Sequence, residues 1–144
     1  MRKSIFKANH DDYPDLIELW EASVTATHHF LDGTDIAHYK ALIVNYYFDN
    51  LNLYFVRDEQ GMLGFIGIAD GNIQMLFLSP AFIGQGLGKH LVDFAVLMHN
   101  VTTVDVNEQN IAAKGFYENL GFEVIGRSEI DAAGKPFPVL SMTL

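Results

Sequence analysis

Between Leu76 and Met98 the chain passes from an apolar run, through a glycine-rich bend, into an amphipathic repeat. No other stretch constrains the fold as much. Leu76-Phe77-Leu78-Ser79-Pro80 predicts a buried strand that ends in a turn. Leu87, Leu91, Phe94, Ala95 and Met98 then recur at the spacing of one helical face. Gly84, Gly86 and Gly88 fall at alternate positions where strand gives way to helix, free to adopt positive φ and without Cβ atoms to cover the backbone. Successive bare N–H groups beside the positive end of a helix dipole suit phosphate oxygens. The bend is not a P-loop, since Lys89 is followed by His90, and its G-x-G-x-G spacing is not the dinucleotide fingerprint. Taken alone it reads equally well as a flexible connection with no ligand.

A second feature lies downstream, in Asn110-x-x-Ala113-x-x-Phe116-Tyr117-x-x-Leu120-Gly121-Phe122. This run resembles the closing signature of the GNAT superfamily of N-acetyltransferases. There it follows a loop like Gly84 to Gly88 that holds the pyrophosphate of acetyl-coenzyme A. The two signatures span Ile73 to Phe122 in the family's order, and the strand and helix pattern extends the resemblance over residues 1–144 as one domain.

Length and composition are compatible with that resemblance. A chain of 144 residues with 49% apolar and 12% aromatic content can bury a core and is not a disordered chain. With no cysteine, a disulfide framework, a thiolate zinc site and a cysteine nucleophile are excluded. The start, Met1 to Lys7, lacks the apolar core of a signal peptide, and no stretch reaches the length of a membrane span. A cytoplasmic protein is therefore expected, with neither membrane nor nucleic acid as partner. The formal charge of −9 argues against the latter and favours cationic partners such as amines.

Taken in order, the pattern predicts β α α β β β α β α β β. A strand over Ser4 to Ala8 leads to a helix capped by Asp11 or Asp12, with Pro14 in its first turn and an apolar face of Tyr13, Leu16, Ile17, Trp20 and Val24. Asp32-Gly33 breaks it, and a second helix is expected from about Ile36 to Phe48. Strands follow at Leu53 to Val56, Met62 to Ala69, Ile73 to Leu78 and Val101 to Val106. A hairpin of Phe122 to Ile130 with Pro136 to Leu144 closes the chain. This is a mixed α/β (α+β) class. The resemblance implies a central, mostly antiparallel sheet, splayed where the cofactor enters and flanked by about four helices.

For function, the resemblance implies acetyl-coenzyme A as cosubstrate and transfer of its acetyl group by direct attack of an amine, in a small molecule or a peptide. It places the cofactor against Phe77 and Leu78, along Ile83, Gly84, Gln85, Gly86, Leu87, Gly88 and Lys89, and against Asn107, Asn110, Phe116 and Tyr117. Ile83 departs from the Gln or Arg usual at the start of that loop; Gln85 and Lys89 can compensate. Tyr117 has two readings. Its phenol, with a reference pKa of about 10, can protonate the departing thiolate, or its ring packs the helix on the sheet. Phe116 is expected to do that packing, along Ala112, Phe116 and Leu120. Asn110 can touch the cofactor, cap its helix, or both.

The proton acceptor is less defined. The family often carries a glutamate in the central strand, where this chain reads Ile73-Gln74-Met75, and glutamine takes no proton. His28 and His29 are the expected replacements, with Glu108 as a weaker candidate and a solvated carboxylate as its plainer reading. No metal site is expected from His28, His29 and His38, whose neighbours lack ligand spacing. The alternative to an enzyme is a coenzyme A-binding sensor of the same fold. Monomer and homodimer both remain open.

Overall fold

The computed structural model describes residues 3–144; Met1 and Arg2, where the expectation about a signal peptide begins, lie outside them. Seven strands form one sheet: β1 (Ile5–Lys7), β2 (Asn52–Asp58), β3 (Gly61–Ala69), β4 (Asn72–Leu78), β5 (Thr103–Asn107), β6 (Glu123–Ser128) and β7 (Val139–Thr143). Their spatial order is β1-β2-β3-β4-β5-β7-β6. Every neighbouring pair is antiparallel except β4 and β5. That parallel pair is short. Only Asn72 with Thr103 and Ile73 with Val104 are in register, and beyond them the strands part. This mixed sheet with four α-helices matches the fold the resemblance implied.

Four helices cover the two faces: α1 (Tyr13–Thr27), α2 (Gly33–Leu42), α3 (Leu87–His99) and α4 (Ile111–Asn119). Period-two alternation in the strands sends neighbouring side chains to opposite faces. Phe55, Phe65 and Met75 pack with Leu16, Leu19, Trp20 and Val24 of α1. Ile66, Ile73, Val104 and Val106 pack instead with Leu87 and Leu91 of α3 and Tyr117 of α4. Leu16, Phe65, Ile66 and Leu91 are fully buried, each contributing roughly 1.5–3 kcal/mol. The sheet therefore separates two cores, and the parting of β4 from β5 is where the sheet itself stops separating them.

Several local expectations are corrected. The cap before α1 is Asn9, whose side chain accepts the Asp11 N–H (2.9 Å) while Asp12 accepts the Asn9 N–H (2.9 Å). These bonds build a short turn at His10–Asp12 that leads into α1; Asp12 stands at the cap position of that helix, as expected, but its side chain bonds back to Asn9 and makes no cap bond to α1. α1 already ends at Thr27, ahead of Asp32, and Asp32 starts the next helix: its carboxylate accepts the Asp35 N–H at 2.8 Å, so α2 begins at Gly33 rather than Ile36. After Leu42 the backbone widens into a π turn over Ile43–Tyr47 and tightens over Phe48–Asn50. Such a turn re-aims side chains. Tyr39, Ile43 and Tyr47 face a cleft, Phe48 is buried, and Tyr46 is 62% exposed.

Candidate active site

The cleft begins where β4 and β5 separate. Gln74 and Asp105, the next positions along the two strands, stand on its two lips. Past the last shared register, the facing edges of both strands no longer satisfy each other. Such edges can hydrogen-bond an extended, amide-bearing chain.

The glycine bend follows the end of β4, with Gly88 close to Leu78, the last residue of that strand. Gly84 (φ 82°) and Gly86 (φ 84°) take positive φ, and a Cβ added to either would meet nothing within 4 Å. Packing therefore does not demand glycine at these two positions; the backbone conformation does. Gly86 is also the residue before α3, where it supplies no side-chain cap. His90 makes the first helical bond back to Gly86 (3.1 Å), so the N–H groups of Leu87, Gly88 and Lys89 have no partner within the helix. Oriented donors, a bare backbone and the helix dipole suit a diphosphate. Gly88 serves differently from its two neighbours. It lies inside α3, where a Cβ would come within 3.2 Å of the Phe116 ring, so its bareness lets α4 approach α3. Ile83 is 48% exposed. Gln85 turns back to donate to the Ala81 carbonyl (2.9 Å), and Lys89 pairs with Asp93 (3.2 Å) on the helix surface.

On α4 both aromatics pack against the core, as expected for Phe116, and Tyr117 is the more deeply enclosed. Tyr117 is the buried one, at 4% exposure, its ring edge-on to Phe116 and Phe122. Phe116 is half-buried against Gly88, and Ala112 is exposed. Burial pushes the Tyr117 phenol above its ordinary pKa. Its hydroxyl bonds to no other described residue, yet among the described residues no side-chain oxygen sealed from solvent lacks a partner. The hydroxyl oxygen is thus not fully sealed, while the residue as a whole is 4% exposed. Asn110 caps α4, its Oδ1 accepting the Ala113 N–H at 3.1 Å.

Across the sheet, a cleft of about 580 Å³ lies between α1, α2, the lips of β4 and β5, and the loop joining β6 to β7. Its walls are mostly apolar (Trp20, Phe77 and Phe137 among them), with Asp105, Asn107 and Asp131 as polar points. The β6–β7 loop forms its roof. Tyr39 of α2 donates to Asp131, and Lys135 donates to Asp35 at 2.9 Å. Asp131 also accepts the N–H groups of Ala133 (2.9 Å) and Lys135 (3.0 Å), which shapes the loop. Lys135 holds the Asp35 carboxyl below the usual range.

The two histidines separate. His28, at the end of α1, is 7% exposed and lines the cleft beside Phe77. Burial, and then the neighbouring His29, lower its pKa to about 4, so it is neutral near pH 7. His29 is exposed and donates from Nε2 to the Ala26 carbonyl (2.8 Å), outside the cleft. Glu108 is held by Arg127 in a two-pronged pair (2.6 and 3.1 Å), which depresses its carboxyl and ties the end of β5 to β6.

One residue was missed from sequence. Asp105 faces the cleft while its strand neighbours Val104 and Val106 face the opposite core. Asp105 is solvent-exposed, yet partial desolvation against the cleft wall raises its carboxyl, partly offset by a hydrogen bond from Asn72 (3.2 Å). The only sequence signal was alternation in Thr103-Val104-Asp105-Val106-Asn107. That pattern shows a half-buried strand but not which strand lies beside it.

A glycine bend whose bare N–H groups suit phosphate, together with an acidic, mostly apolar cleft at the split in the sheet, fits the class of group transferases that use a phosphate-bearing donor. Residues 35–144 match the model of the acetyltransferase (GNAT) domain. Peptidyl-lysine N-acetyltransferase YjaB of Salmonella typhimurium is 37% identical over 142 residues, covering 99% of this chain and 98% of that protein. The solution structure of apo-form YjaB from Escherichia coli is 35% identical and superposes with a TM-score of 0.88, covering 99% of this chain and 97% of the other. A Thermoplasma acidophilum PaiA N-acetyltransferase, solved in complex with coenzyme A, shares the fold at 19% identity and a TM-score of 0.74. The chain belongs to the GNAT acetyltransferase family. It is an N-acetyltransferase, and acetyl-coenzyme A is its acetyl donor. Among the described residues no helix is long and apolar enough to cross a membrane.

Proposed function

We propose that this enzyme acetylates the ε-amine of lysine in a peptide or protein, acting in the cytoplasm. The acceptor class is supported by the names of its relatives in Salmonella typhimurium and Escherichia coli, 37% and 35% identical. The observation that carries the chemistry is the position of Asp105 at the sheet's opening, in a cleft of apolar walls. A lysine side chain has an apolar stem and a cationic head. Phe77 and Phe137 suit the stem, and the Asp105 carboxylate attracts the head.

Acetyl-coenzyme A supplies an activated acyl carbon. Its phosphates fit the N–H groups at Gly84 to Lys89, and its amide-bearing arm fits the open strand edges beside Phe77, Leu78 and Asn107. The acceptor nitrogen attacks only when neutral. Asp105 takes the ammonium proton, directly or through one water; its side chain reaches solvent, and partial desolvation shifts its carboxyl upward, towards that task. As the nitrogen–carbon bond forms and the carbon–sulfur bond breaks, the thiolate needs a proton. Tyr117, which stays protonated across the physiological range, gives it. A second reading assigns the proton acceptor to His28, because its neutral ring faces the same cleft.

The test is thiol release with acetyl-coenzyme A and a panel of lysine peptides, α-amino peptides and small amines. Turnover is expected on lysine peptides, with Asp105→Asn reducing kcat/KM for the peptide. Acetylation of α-amines or small amines alone would overturn the acceptor assignment. Wild-type pH dependence in Asp105→Asn, lost in His28→Asn, would transfer the role to His28.

A further inference from the structure

Four polar groups run in one direction across the opening of the sheet. Asn110 Oδ1 is committed to the Ala113 N–H (3.1 Å), so its Nδ2 faces His28 Nε2 as a donor, at a long 3.5 Å. His28 Nδ1 lies 2.8 Å from Thr27 Oγ1. Thr27 donates its single hydroxyl hydrogen to the Ser23 carbonyl (2.8 Å), so towards His28 it can only accept. These constraints agree on one arrangement. The Nδ1 of His28 carries the hydrogen, and Nε2 carries a lone pair.

We propose that Thr27 is a positioning residue which holds His28 as the Nδ1–H tautomer, so that the wall of the acceptor cleft meets an amine with a lone pair instead of a hydrogen. An ammonium has only N–H groups, and a neutral amine has to keep its one lone pair free for the acyl carbon, so either offers that wall N–H groups alone. Against Nε2–H it would meet donor with donor; against a lone pair it gains a hydrogen bond. The contact from Asn110 is long enough to yield to a better donor, so an arriving amine can take it over. Thr27 thus favours amine acceptors, whichever of Asp105 and His28 takes the proton. The role rests on the cleft being the acceptor site, as proposed above.

Nitrogen-15 NMR of the histidine-labelled enzyme reads the tautomer directly. The wild type is expected to show an unprotonated, pyridine-type nitrogen at Nε2 of His28. Thr27→Val keeps the shape and removes the hydroxyl, and should move the ring towards Nε2–H. It should also raise KM for the amine about tenfold, the equivalent of one ordinary hydrogen bond, without changing KM for acetyl-coenzyme A. Thr27→Ser should restore both. A wild-type ring found as Nε2–H overturns the proposal, and that measurement needs no variant to fold. So does a Thr27→Val ring that keeps Nδ1–H, or a shifted tautomer with unaltered amine KM. Failure of the lysine-acceptor reading would look different: no lysine-peptide turnover, with the wild-type tautomer as described.

Discussion

The conformation of Gly86 can be converted into a measurable loss. Its φ of 84° belongs to the left-handed region, and a Cβ there would touch nothing within 4 Å. Gly86→Ala therefore introduces backbone strain and little else, about 1–2 kcal/mol. The bend has two ways to respond. If it keeps its shape, the folded state loses that amount, and the melting temperature falls by roughly 3–7 °C for a chain of this size. If it relaxes, stability is kept, but binding acetyl-coenzyme A must restore the shape, and affinity falls by about 5- to 30-fold. Any mixture divides the same total between the two. Gly134→Ala is the matched control. It has φ 78° and nothing within 4 Å, but it lies in the β6–β7 loop, away from the bend. Calorimetry with and without acetyl-coenzyme A, together with its KM, measures both shares. The control should lose stability with KM for acetyl-coenzyme A intact. A Gly86→Ala enzyme with wild-type melting temperature and wild-type KM would refute the reasoning, since the strain would then appear nowhere.

Tyr117→Phe should reduce kcat by about 10²- to 10⁴-fold, as removal of a general acid does, with a melting temperature within about 2 °C of wild type; a variant with unchanged kcat removes Tyr117 from the mechanism. His28 binds its proton at about 4 in the folded state and about 6.5 unfolded, so below pH 6.5 the unfolded chain takes up more protons. Stability should therefore drop by about 3 kcal/mol between pH 6.5 and 4, and urea unfolding of His28→Asn should lack that part of the decline. The carboxylate can also be moved across the opening. Asp105→Asn combined with Gln74→Glu should recover at least tenfold of the peptide kcat/KM lost in Asp105→Asn alone, and recovery of none would show that the two lips are not equivalent.

Features set by neighbours in sequence were legible. The strand, bend and helix around Gly84 to Gly88, the cap at Asn110 and the order of the elements all follow from periodicity and turn chemistry. Features set by distant pairings were not. Asp105 becomes a cleft residue only because β5 lies parallel to β4 with Thr103 beside Asn72 and then diverges. The roof exists because Asp131 and Lys135 meet Tyr39 and Asp35, about a hundred residues away. The helical period put Phe116 towards the sheet, but it could not show that Tyr117, a residue further round α4, would be enclosed more deeply. Contact of α4 with Gly88 and Phe122 decided between them.

The division of the core explains why the chemistry sits where it does. Charged and polar groups are costly inside either apolar core, and a strand paired on both sides offers a ligand no backbone hydrogen bond. Both conditions lapse together where β4 and β5 part. There the strand edges are open and the two faces of the sheet communicate. On the proposed reading, a donor gripped at the α3 end and an acceptor held under the β6–β7 loop can then meet without a path through either core. In the proposed mechanism each face also contributes the proton chemistry suited to its side: a partly desolvated carboxylate in the acceptor cleft, and a phenol kept protonated on α4. The bridge from Asn110 to His28 crosses the same gap, joining the start of α4 to the end of α1. Closing the gap by extending the β4–β5 ladder would strengthen the sheet and remove the site, which is why so short a parallel pairing is the functional core of this fold.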